Sequence, residues 1–212
     1  MKRNDSNSKV VLGVTLGTRD LTLDGKEFSR IKKGDCDDLP EKLFSKKRQT
    51  LWPRSGGKYI YDNFDQFSGS GRLKFPILKK GIKHVLEHHN RIDKLILICT
   101  DQEKSVRKEY RNNDTVYFAK IIKELIPIWQ HNRNPKPVKN NIEIISLNKN
   151  VGQMDEMYKK FNNLFQKSKP LKNLNKNDKF YVLPIGGMPS YNTAFLISAI
   201  MNLKEGCEHI HV

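Results

Sequence analysis

Four short apolar runs leave the chain few ways to fold: VVLGVTL (Val10–Leu16), LILIC (Leu95–Cys99), IEIISL (Ile142–Leu147) and FYVLPI (Phe180–Ile185). They read as strands covered on both faces rather than as half-solvated strands of alternating pattern. Helix-period segments separate them. Leu78, Ile82, Val85, Leu86 and His89 share one helical face after Pro76, and Phe118, Ile122, Leu125, Ile126 and Trp129 share another. Met154, Met157, Tyr158, Phe161, Leu164 and Phe165 form a third stripe. A last helix is expected from about Ser190 to Leu203, and His209–Val212 reads as a final strand.

Buried strands alternating with helices predict an α/β, Rossmann-like three-layer sandwich with a mainly parallel sheet. One domain over residues 1–212 is expected. Leu21-Thr22-Leu23, the Asp24-Gly25 turn, then Lys26-Glu27-Phe28 predict a hairpin. The rhythm fails from about residue 29 to 75, which reads as an insertion over one end of the sheet. Within it Tyr59-Ile60-Tyr61 is expected to be a short strand, and Ser55-Gly56-Gly57 and Ser68–Gly71 to be flexible. Asp114 is expected to cap the helix that follows it.

In such sheets ligands sit beyond the carboxyl ends of the strands. That rule gathers four loops on one edge: Gly17–Asp20, Thr100–Gln102, Asn148–Asn150 and Gly186–Ser190. The last is the most telling. Gly186 and Gly187 lack Cβ atoms and can take positive φ, which lets a ligand touch the main chain. Pro189 suits a first helical turn, whose free amides favour negative charge. Ser190, Asn192 and Thr193 add hydrogen-bonding groups without bulk. The combination suits a phosphate or a nucleotide edge, against the simpler alternative of a tight turn. GxxxxGK[ST] is absent, and no GxGxxG follows the first strand, so neither a P-loop nor a dinucleotide cofactor is expected.

A formal net charge of +16 points towards an anionic partner, although lysines scattered through loops and helix faces give a solvated surface equal weight. Cys36, Cys99 and Cys207 are widely spaced and without CxxC, which suggests reduced thiols in a cytoplasmic protein. His84 and His88 are spaced i, i+4, but no third ligand of fixed spacing accompanies them, so no metal site and no cofactor are expected. No apolar run reaches the roughly 18 residues a membrane helix needs.

VVLGVTLGTRD, LILICTDQ and above all YVLPIGGMPSYNTAFLISA, in this order and placement, resemble the CARF domain, the CRISPR-associated Rossmann fold. The resemblance spans about residues 9–20 and 77–212 and leaves out the insertion. It implies a sensor of cyclic oligoadenylate, with four or six adenylates in the ring, that forms a two-fold homodimer and activates an antiviral type III CRISPR effector. An isologous dimer suits a ligand of two-fold symmetry. By position, Gly186, Gly187, Met188, Pro189 and Ser190 would line the phosphate-ribose ring, with Asn192 beside them. Gly17, Thr18 and Arg19 would join from the first strand, and Thr100, Asp101 and Gln102 would meet the ligand or the partner protomer. Asn148 and Asn150 would read adenine edges. A Gly187→Glu change is expected to fill the cradle. No effector domain is expected within these residues, and higher oligomers would form through it.

Two other functions compete. Some domains of this family cleave their own ligand through its 2′-hydroxyl, and Thr18, Arg19 and Ser190 would orient or stabilise such a step, although no general base is evident at this edge. The basic balance alone would also suit a DNA- or RNA-binding regulator, but no helix-turn-helix, RNP aromatics or zinc finger supports it.

Overall fold

A computed structural model describes residues 8–69, 71–172, 174, 177–184, 186–203 and 206–210. The first strand, β1 (Val10–Thr15), leads into the short hairpin β2 (Thr22–Leu23) and β3 (Lys26–Glu27). Then come α1 (Pro53–Asp62), α2 (Phe64–Ser68), β4 (Leu73–Lys74) and α3 (Pro76–His88). The middle of the chain forms β5 (Lys94–Thr100), α4 (Lys108–Arg111), α5 (Val116–Trp129) and β6 (Ile142–Leu147). It closes with α6 (Met154–Lys167), α7 (Lys169–Lys172), β7 (Lys179–Leu183), α8 (Pro189–Leu203) and β8 (Cys207–His209).

Five strands form one parallel sheet in the order β6-β5-β1-β7-β8. Successive side chains of a strand point to opposite faces, and the sheet divides its apolar residues accordingly. Leu12, Val14, Leu95 and Leu97 face α3 and α5. Val11, Ile96, Ile98, Phe180 and Val182 face α6 and α8, where Phe161, Phe165 and Phe195 complete an aromatic cluster. The fold is the expected Rossmann-like α/β sandwich. The edge strands β6 and β8 depart from full burial, and in β6 the half-buried Glu143 reaches Lys94 at 2.7 Å.

The hairpin also forms about the predicted turn, with strands one residue shorter at each outer end, because Phe28 turns into a short 3-10 helix (Phe28–Arg30). Asp24 (φ 51°) and Gly25 (φ 80°) take the left-handed conformations of its turn, and β4 adds a third antiparallel strand. The insertion differs from expectation. Tyr59-Ile60-Tyr61 lies inside α1, not in a strand, and Ser55-Gly56-Gly57 belongs to the same helix. Pro53, Gly56, Gly57 and Ile60 are its buried face, the i, i+3, i+4, i+7 set of an amphipathic helix with glycine in two apolar positions. A Cβ on Gly57 would lie 3.1 Å from the Phe118 ring, so the missing side chains let α1 lie close against α5. Ile31, Leu43, Phe44, Leu51 and Phe67 join the same core. Residues 29–75 are therefore packed structure, with Ser68 ending α2 and Ser70 outside the described residues. Ile185, His211 and Val212 also lie outside them; the described final strand, Cys207–His209, begins two residues before the expected His209–Val212 and shares only His209 with it.

The chain adds β5 and β6 on one side of β1, then returns to place β7 and β8 on the other. Connections from neighbouring strands diverge between β1 and β7, which opens a crevice at their carboxyl ends.

Candidate functional site

A cavity of about 320 Å³ occupies that crevice. It gathers nine of the residues singled out in the sequence: Gly17, Thr18, Arg19, Thr100, Gln102, Asn150, Gly186, Gly187 and Met188. Leu16, Tyr110, Asn113, Thr115, Val151 and Tyr191 complete the lining. Asp101, Asn148, Pro189, Ser190 and Asn192 are not part of it.

The residues left out have other work in the fold. Asp101 pairs with Arg54 of α1 at 2.6 Å. Asn148 is exposed, and its carbonyl accepts the Glu103 amide at 2.9 Å. Ser190 donates its hydroxyl to the Val151 carbonyl at 2.9 Å, which ties the first turn of α8 to the loop after β6. The Asn192 Oδ1 accepts the Thr15 hydroxyl at 2.8 Å. Among the lining residues, Asn150 accepts the Gly152 amide at 3.0 Å through its Oδ1.

The glycines at the crevice have a second reason to be glycine. A Cβ on Gly17 would stand 0.9 Å from the Gly186 carbonyl oxygen, and one on Gly186 would stand 1.8 Å from Asp20 Oδ2. A Cβ on Gly187 would stand 2.0 Å from the Tyr191 ring. These positions are bare because the loops after β1 and β7 pass in direct contact. Gly187 does not use positive φ, contrary to expectation. Gly186 and Gly187 nonetheless remain partly exposed where they front the cavity. Gly187→Glu would therefore displace Tyr191 as well as fill the cradle.

Asp20 anchors this contact. It is fully buried, and its Oδ2 accepts the Gly17 amide at 2.6 Å. Its Oδ1 has no hydrogen-bond partner among the described residues. Burial pushes its carboxyl up to about 7, against the lowering effect of the Gly17 amide and the Arg19 charge. Tyr191, also buried, donates its hydroxyl to the Ile98 carbonyl at 2.8 Å, and desolvation holds that phenol well above its usual range. Arg19 is exposed at the cavity mouth.

On the β5 side, Thr100 and Thr115 brace each other. Each main-chain amide donates to the other's hydroxyl, at 3.2 and 3.1 Å, and the Thr115 hydroxyl donates on to the Leu16 carbonyl at 3.3 Å. Asp114 does not cap α5. Its buried carboxylate accepts the Gln102 amide and the Gln102 side-chain Nε2, each at 2.9 Å, and pairs with Arg54. Sequence reasoning missed Arg54, because nothing in WPRSGG marks an arginine that reaches Asp101 and Asp114 in the connection between β5 and α5. It also passed over Asp20, although an aspartate three residues after the loop glycine was a usable signal of a side chain folding back on the main chain.

Comparison with family models gives no match, and comparison with curated proteins gives none at a meaningful level.

Proposed function

We propose that this chain binds a cyclic oligoadenylate of four or six units across a homodimer and so biases the activity of an antiviral effector. The observation that carries the reading is the cavity at the β1–β7 divergence, where residues of all four loops picked out by the resemblance come together with the exposed Arg19 at the mouth. Thr18, Arg19 and the main-chain amide of Gly187 offer donors and charge suited to phosphate, the Gly186 amide being held by the Thr15 carbonyl, while Leu16, Val151 and Tyr191 offer an apolar floor suited to a base.

The dimer draws support from α8. That helix starts beside Met188 at the cavity and leaves Ile197, Ile200 and Met201 exposed on one side, at 39, 50 and 63%. Apolar residues on consecutive turns of a surface helix suit a second protein surface, and a ring on the two-fold axis would place that surface beside it.

Calorimetry with purified protein and rings of three to six adenylates tests the reading. One ring should bind per two chains, and Arg19→Glu should weaken binding at least tenfold while leaving the melting temperature unchanged. Absence of heat with every ring size defeats it.

A further inference from the structure

We propose that Gln102 is a specificity-determining residue of this cavity, its side-chain oxygen accepting a hydrogen bond from the exocyclic amino group of a bound adenine. The proposal rests on the nucleotide reading above. Gln102 lines the cavity and is 6% exposed. Its main-chain amide and its Nε2 both donate to the Asp114 carboxylate, at 2.9 Å each. A carboxylate accepts and does not donate, so the side-chain amide has one favourable orientation. Arg54 holds Asp114 from the other side, and the whole arrangement is braced before any ligand arrives.

One atom is left over. Gln102 Oε1 is buried and has no hydrogen-bond partner among the described residues. Buried acceptors in folded proteins are nearly always paired, and because Gln102 lines the cavity, a ligand's donor is the partner assigned to this one. The neighbouring walls narrow the choice of donor. Leu16, Val151 and Tyr191 give the cavity apolar surface, no described group donates to that oxygen, and Tyr110, 44% exposed, lines the same cavity with an aromatic ring available for stacking. About 320 Å³ accommodates a planar base. A planar heterocycle that stacks and carries one N–H donor on its edge fits this wall, and the adenine amino group supplies that donor. A base without it would leave the oxygen unpaired, which is the kind of mismatch that separates close analogues most strongly.

The test compares 5′-AMP with purine riboside 5′-monophosphate, which has hydrogen in place of the amino group, and runs the same pair of bases in cyclic tetramers. Wild type should prefer the amino-bearing member of each pair by about tenfold, and Gln102→Met should bring the two within twofold. Should that variant fold poorly, the wild-type Gln102 side-chain amide resonance offers an independent readout, shifting with 5′-AMP and not with the amino-less analogue. Equal binding of the pair by wild type, an unchanged preference in Gln102→Met, or no binding of any of the four ligands overturns the proposal. Discrimination between the mononucleotides without binding of either ring leaves Gln102 in this role and removes the cyclic ligand instead. Ring binding with a preference that Gln102→Met does not alter removes Gln102 and keeps the ring.

Discussion

Gly56-Gly57 and Gly186-Gly187 are the two adjacent glycine pairs of the chain, and they end in opposite situations. The first pair is buried in the middle of α1, where a missing side chain draws a helix against Leu51 and the Phe118 ring. The second pair stays partly exposed, pressed on one side by Gly17 and Tyr191 and open on the other to a cavity. Both pairs exist for close approach. What distinguishes a packing glycine from one that also fronts a ligand space is the set of elements around it, and no property of the dipeptide reports that.

The contact is also of different hardness at the two places, and this gives the largest expected effect. Gly17→Ala would drive a Cβ into a main-chain carbonyl at 0.9 Å, with no side chain able to swing aside. It should cost more than about 3 kcal/mol in urea unfolding, or yield no folded protein. Gly57→Ala meets the Phe118 ring and Tyr117 Cβ at 3.1 Å and gains helix propensity, so it should stay within about 1 kcal/mol of wild type. Equal costs for the two would erase the contrast drawn here.

The next effect concerns the bridge between the regions. Arg54→Ala removes the α1 guanidinium from Asp114, a carboxylate with 0% exposure. Breaking a fully buried pair typically costs 3–5 kcal/mol. Arg54 itself is 34% exposed and Gln102 would still donate to Asp114, so about 2 kcal/mol is expected by denaturant titration. A loss below roughly 0.5 kcal/mol, the range of an ordinary surface pair, would show that insertion and sheet edge are not joined here.

The smallest effect is a pH slope. The Asp20 carboxyl is raised from 3.8 to about 7 in the folded protein, so the folded state keeps a proton that the unfolded chain has lost. Its contribution is complete below about pH 4 and disappears as pH rises towards about 7, at up to roughly 1.4 kcal/mol per unit. Asp20→Asn keeps an acceptor for the Gly17 amide and removes the titration. The difference in stability between variant and wild type should therefore move in the variant's favour between pH 5 and 7. A constant difference across that range would mean Asp20 is ionised throughout.

The sheet and its four principal helices were legible because burial on two faces leaves an uninterrupted apolar run, and burial on one face leaves a 3.6-residue stripe. Ile142–Leu147 was placed to the residue. The insertion was illegible for a related reason: in α1 the stripe at Pro53, Gly56, Gly57 and Ile60 is real, but two of its members carry no side chain and register as breaks. Pro53 in the first turn was the overlooked sign. At the site, position along the strands sufficed to gather Gly17–Arg19, Thr100, Gln102 and Gly186–Met188. It did not separate residues that face the cavity from Ser190 and Asn192, whose short polar groups are taken by nearby backbone and Thr15. Asp114 shows the limit of local rules, since its expected capping role lost to two partners distant in sequence.

The central place of β1 has a consequence for how the protein is made. Val10 pairs with Lys179 on one side and Val11 with Lys94 on the other. Leaving the ribosome at about 5–20 residues per second, the apolar segment VVLGVT would wait roughly ten to thirty seconds for its second neighbour. For that interval its open edge is sticky, and the nascent chain is a natural client for a chaperone that shields short hydrophobic stretches.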